Sequence, residues 1–151
     1  MRDRPWTEIW ASIAQAYNAL ATQIQGIAED ALANPGHFAW RNDQALSGLV
    51  ISGGYSHPLA HLAQFYFDRG EVAHANQLQA KMTARLLELP GSRDAARYNL
   101  ACYYATTGQP ELALTELRVA LRLNPKLIEW SKQDTDLDSL RNDPAYQALY
   151  R

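Results

Sequence analysis

The chain has 151 residues, 47% hydrophobic and 20% charged, with a formal net charge of −2 and no block of like charges. Such a length suits one domain with its own core, and the even charge excludes the clustered Lys and Arg that a nucleic acid or an anionic membrane surface requires. A single cysteine, Cys102, cannot form an intrachain disulfide, so the fold rests on packing alone and a cytoplasmic location is expected.

The opening Met1-Arg2-Asp3-Arg4-Pro5 leads into an amphipathic segment instead of a signal-peptide core, and no apolar run approaches the ~18 residues of a membrane span. From Trp6 to Leu32 the residues Trp6, Trp10, Ile13, Tyr17, Leu20, Ile24, Ile27 and Ala31 step by four and three, one face of a long helix. Gly26 weakens its interior, and Asn34-Pro35-Gly36 ends it. After a loop to about Asn42, Ala45 to Ile51 predicts a short second helix that Gly53-Gly54 stops or kinks. Ser56 is placed to cap the next helix, which carries Pro58 in its first turn and runs to Asp68. Gly70 closes it, and Glu71 to Leu89 forms its partner, stopped by Pro90-Gly91. Ser92 is placed to cap Arg93 to Thr107, Gly108 turns the chain, and Pro110 opens a helix to Leu123 that Asn124-Pro125 ends. Lys126 to Lys132 gives a further helical stretch, and Asp138 or Asp143 starts a last short one. No segment alternates as a strand does, so the expected class is all-α, built of antiparallel helical hairpins.

Two of these hairpins carry one pattern, Leu-Ala-x-x-Tyr-x-x-x-Gly-x-x-x-x-Ala: Leu62, Ala63, Tyr66, Gly70 and Ala75, then Leu100, Ala101, Tyr104, Gly108 and Ala113. The copies lie about 38 residues apart, inside the ~20–50 window of stacked repeat architectures. Asp94 to Pro125 resembles a tetratricopeptide repeat, a helix-turn-helix unit of about 34 residues. Leu100, Ala101, Tyr104, Gly108, Ala113, Leu117, Ala120 and Pro125 fall on the signature positions. Arg97 departs from the pattern where a large apolar residue is usual, and Tyr98 beside it is placed to compensate. The upstream copy, counted from Ser56, keeps Leu59, Leu62, Ala63, Tyr66, Gly70 and Ala75. The expected organisation is a single all-helical domain: an N-terminal helical pair (1–55), a degenerate hairpin (56–91), a repeat (92–125) and C-terminal capping helices (126–151). Two repeats fall short of the roughly three that such arrays need, so the other helices must supply the missing burial.

By this resemblance the first helix of each hairpin lines a concave groove that binds a protein or peptide. The groove face would carry His57, His61 and Gln64 from the first copy and Asn99, Cys102 and Thr106 from the second. A non-enzymatic interaction module without cofactor is the expectation. Only Asn99 matches the set that clamps acidic peptide tails, so that ligand class is not expected.

A second resemblance bears on the histidines. Arg4 to Gly70 looks like the second half of a DinB-like four-helix bundle, through the Pro5-Trp6 start, the long helix, the loop with Pro35, Gly36, Phe38 and Trp40, and the helix with Tyr55, His57 and His61. Many members of that family bind a divalent metal through three histidines. The alternative implied is a metal-dependent hydrolase or transferase, or its remnant, with His57 and His61 as ligands to an ion such as zinc or nickel. At i and i+4 the two imidazoles share one helix face, but the helix that would bring a third is missing. His37, or a homodimer joining two pairs, would have to complete the set. The chain is also readable as a piece of a longer protein, in which case the apolar stripe of the first helix would drive association.

The remaining constellations read as structure. Asp134, Asp136 and Asp138 alternate like a calcium loop, but Ser139 and Ala145 stand where Gly and Glu are required, so a helix-capping segment is expected. Cys102 lacks an activating partner. The four tryptophans Trp6, Trp10, Trp40 and Trp130 read as core packing.

Overall fold

Helix-forming runs interrupted by glycine, proline and asparagine give an all-α architecture in the computed structural model, which describes residues 4–89 and 91–151. Among those residues there is no strand, and no helix is long and apolar enough to cross a membrane. The first residues Met1-Arg2-Asp3 and the helix stop expected at Pro90 lie outside the described residues. The chain divides into two compact units, Met1–Ser52 and Gly53–Arg151.

In the first unit, α1 spans Trp6–Gln25, α2 Glu29–Ala33 and α3 Leu46–Ile51. The long helix expected to reach Leu32 thus ends early, at Gly26. The Gly26 amide closes the last turn onto the carbonyls of Thr22 and Gln23, at 3.3 and 3.2 Å. A residue that loses this much backbone freedom on folding is a weak place to continue a helix. Asn34 terminates α2, and its side chain accepts from the Gly36 amide at 3.0 Å, an Asx turn of the kind Asn-Pro-Gly favours. Packing of α2 on α3 buries Ala31. Helix α1 buries none of its residues. The expectation that the tryptophans are core residues is overturned: Trp6, Trp10, Trp40 and, in the second unit, Trp130 are all exposed. Periodicity identifies a helix face that is apolar, but burial needs a surface to cover it.

The second unit is a run of hairpins. A π-helical turn at Ser52–Ser56 precedes α4, His57–Asp68, so Gly53 and Gly54 sit within a widened helical turn and do not end a helix. Four helices then pack in chain order, α4 on α5 (Val72–Leu87), α5 on α6 (Arg93–Thr106) and α6 on α7 (Pro110–Leu123). Neither Ser56 nor Ser92 makes the side-chain cap expected of it; both have helical-type backbone geometry at the start of their helices, where a capping serine needs an extended one. The turns are set by glycine: Gly70 at φ +78° and Gly108 at φ +73° occupy the left-handed region that other residues avoid.

Both copies of the repeated pattern close in the same way. The Glu71 amide bonds to the Tyr66 carbonyl at 2.9 Å, and the Gln109 amide to the Tyr104 carbonyl at 2.8 Å. Ala63, Ala75, Ala101 and Ala113 are wholly buried, the small side chains that let paired helices approach. Ala63 and Ala75 share a cluster with Leu100 and Tyr103 of α6. Arg97, the departure from the repeat pattern, pairs with Glu116 of α7 at 2.6 Å, while Tyr98 turns into the core.

Beyond α7 the chain supplies burial that two hairpins lack. Helix α8 (Leu127–Ser131), a 3-10 turn over Thr135–Leu140 and α9 (Pro144–Gln147) follow. From them Leu137, Leu140 and Tyr146 join Leu114, Leu117 and Leu121 in the main core. Asp134 caps the 3-10 turn through the Asp136 amide at 3.1 Å, and Asp143 caps α9 through the Ala145 amide at 2.7 Å. The acidic triplet is a capping segment, as its departures from a calcium loop imply.

Candidate functional site

The residues expected to line a partner-binding face lie on α4 and α6, whose buried residues Ala63, Leu100 and Tyr103 meet in one cluster. On α4, His57, His61 and Gln64 are exposed on successive turns. The Nε2 atoms of His57 and His61 stand 3.1 Å apart, with their rings edge to face at 4.4 Å. Gln64 donates to Asp68 at 2.7 Å, which holds its side chain along the helix. On α6, Asn99 and Thr106 are exposed. The Thr106 hydroxyl donates back to the carbonyls of Cys102 and Tyr103, at 3.0 and 3.1 Å, which leaves Asn99 as the freer polar group on this helix.

Cys102 does not share this exposure. It is 8% exposed and belongs to the main core, because the Thr135–Leu140 turn packs across α6. Ser139 anchors that turn by donating to the Ala105 carbonyl at 3.1 Å. Asp134 enters beside it, and its Oδ2 accepts from the Tyr98 hydroxyl at 2.8 Å and from the Cys102 thiol at 3.8 Å. Burial, and then the neighbouring Asp134 carboxylate, push the thiol well above its ordinary range. Burial and the hydrogen bond to Asp134 do the same to Tyr98. A neutral thiol is a poor nucleophile, so Cys102 is a packing residue. Asp136 lies near enough that Cys102, Asp134 and Asp136 place ligand-type atoms within 4.8 Å of one another. Burial and the charge of Asp134 raise the Asp136 pKa. Each Asp134 oxygen already accepts a protein donor, and the set is explained as a capped turn held onto α6.

A second polar network ties the hairpins together. The Tyr103 hydroxyl donates to Asn76 of α5 at 2.7 Å, and Asn76 donates to Gln109, in the turn between α6 and α7, at 3.3 Å. On the same hairpin Tyr66 stacks on His74 with centroids 4.0 Å apart. Neither network is marked by local spacing. Asp134 is 36 residues from Tyr98 and 32 from Cys102, and Asn76 is 27 from Tyr103. Only packing brings these partners together.

The histidine pair stands without a third ligand: among the described residues the one group of three or more candidate metal ligands is Cys102, Asp134 and Asp136. His37 packs edge to face on Phe38 at 4.7 Å, in the loop of the first unit. No family model, characterised protein or solved structure matches the chain.

Proposed function

We propose that the protein is a non-enzymatic, tetratricopeptide-like helical module that binds a protein or peptide across the exposed face of α4 and α6. The observation that supports this reading is the exposure of His57, His61 and Gln64 on α4 and of Asn99 on α6, helices that contribute Ala63, Leu100 and Tyr103 to one buried cluster. A rigid helical support with polar side chains projecting from it suits an extended ligand, whose backbone amides and carbonyls pair with amide and imidazole groups. The 3-10 turn that covers Cys102 narrows the face at its α6 side, so the ligand lies mainly along α4 and the Asn99 end of α6.

The test begins with a ligand isolated from a peptide display library. Gln64→Ala together with Asn99→Ala is expected to weaken its binding at least tenfold, about 1.4 kcal/mol, with the melting temperature unchanged because both residues are exposed. Unchanged affinity would remove the face from α4 and α6.

A second reading, the DinB-like metal site or its remnant, rests on the shared helix face of His57 and His61. Their Nε2 atoms stand 3.1 Å apart, the distance of a hydrogen bond between the two imidazoles, and would have to part slightly, to about 3.4 Å, to bind one tetrahedral zinc. The donor set does not fit a catalytic centre, which takes three protein ligands and an open position. On this reading, purified protein carries at least about half an equivalent of zinc, nickel or manganese and loses it on His57→Ala. Lower metal content, with no effect of added metal on the melting temperature, sinks it.

A further inference from the structure

Helix α1 buries none of its residues, and its apolar residues repeat with a period that helices use to pair. Trp6, Trp10, Ile13, Tyr17, Leu20 and Ile24 alternate steps of four and three, the 3.5-residue repeat of a coiled-coil seam rather than the wider 3.6-residue stripe of a core-facing helix. The first five are 70%, 62%, 50%, 60% and 54% exposed in that order. Trp6 and Trp10 stack on each other with centroids 6.2 Å apart, which extends one continuous apolar strip. We infer that this strip is the interface at which a second copy of the chain docks, α1 against α1.

Two observations select a second copy as the occupant. Flanking the seam are Thr7, Ile9, Ala14, Ala16, Ala21 and Gln23, and the one charged residue within α1 is Glu8, which lies 3.6 Å from Arg4 of its own chain. Charged flanking positions set partner choice in paired helices. An uncharged flank gives an acidic or basic foreign helix nothing to recognise, and lets an identical helix approach without like-charge repulsion. The area reaches the low end of what a specific interface needs. With roughly 150–250 Å² for each aromatic side chain and less for Ile13 and Leu20, the exposed parts of the five seam residues amount to on the order of 500 Å² per helix. The flanking residues bring two copies near the ~1,200 Å² of total buried surface at the lower bound of stable interfaces. A self-complementary patch closes as a two-fold dimer and does not propagate.

Sedimentation equilibrium of the full chain between ~1 and ~100 µM decides the matter, a range that covers dissociation constants typical of modest dimers. The expected result is a dimer mass at the upper end. Ile13→Glu with Leu20→Glu is expected to raise the dissociation constant at least ~100-fold without loss of helix content by circular dichroism, since α1 contributes no buried residue. Ala14→Glu, at the edge of the seam, supplies a second variant that removes no apolar side chain. A wild-type chain that stays monomeric at the highest concentration overturns the proposal, and means that the strip is covered by the rest of the chain or by a foreign partner. A dimer that survives both the double variant and Ala14→Glu overturns it equally, because the copies then meet elsewhere.

Discussion

Replacing Leu117 by alanine is expected to cost about 2–5 kcal/mol, the range for truncating a leucine in a filled core. Leu117 is 0% exposed, and it stands among Leu114, Leu121, Leu137, Leu140 and Tyr146. The cluster joins the hairpin of α6 and α7 to the C-terminal segment folded against it. The neighbours come from several elements already held by their own turns, so the space left by three lost carbons cannot close by a simple shift. Domains have about 5–15 kcal/mol of stability in total, and for a chain of 151 residues each kcal/mol moves the midpoint by roughly 2–4 °C. A fall of at least ~4 °C in the melting temperature is the expected reading. A cost below about 1 kcal/mol would show that the core around Leu117 is loosely filled and that the C-terminal segment is not part of it.

The second large effect is expected at Asp134, where a single carboxylate serves three donors. It accepts from Tyr98 at 2.8 Å, from Cys102 at 3.8 Å and from the Asp136 amide at 3.1 Å. Asp134→Ala leaves the buried Tyr98 hydroxyl without its acceptor, a loss of about 1–3 kcal/mol, and removes a cap worth about 1 kcal/mol. The turn over Thr135–Leu140 then has less to hold it on α6, and Cys102 beneath it becomes accessible. Two forces that raise the thiol pKa, burial and the Asp134 charge, weaken together. The rate of thiol modification by a disulfide reagent under native conditions is therefore expected to rise at least tenfold, about 1.4 kcal/mol of opening. Asp134→Asn separates the contributions: its single amide oxygen can accept from Tyr98 or from the Asp136 amide but not from both, which use different oxygens of Asp134, so its stability and its thiol protection should fall between those of the native chain and Asp134→Ala. Slow modification in Asp134→Ala would mean that Ser139 and the apolar contacts of Leu137 and Leu140 hold the turn without Asp134.

These two predictions involve contacts that no local pattern announces, whereas the hairpins themselves are local. Pro110 at the start of α7 and Gly70 and Gly108 at the turns act through their own backbone restrictions. They place the helix ends where the spacing predicts them. The buried alanines at 63, 75, 101 and 113 follow from the same register. Boundaries set by competition are less legible. Gly26 ends α1 although the apolar stripe continues past it, and Ser56 and Ser92 stand at helix starts without capping them.

The candidate face divides in the same manner. His57 and His61 meet because i and i+4 on one helix are neighbours wherever that helix lies. Cys102, assigned to the same groove by its place in the repeat, is instead covered by a turn more than thirty residues further along the chain. The amphipathic stripe of α1 shows the converse. Its period is written in the sequence, but the tryptophans on it lie in solvent. The sequence by itself determined the all-α class, the hairpin turns and the shared face of the histidine pair, since each depends on backbone preferences and spacings within a few residues. Which apolar faces are covered, which carboxylate meets Tyr98 and Cys102, and how much of the α6 face stays open were decided only by the tertiary structure. Burial and long-range hydrogen bonds depend on how distant segments compete for the same surface.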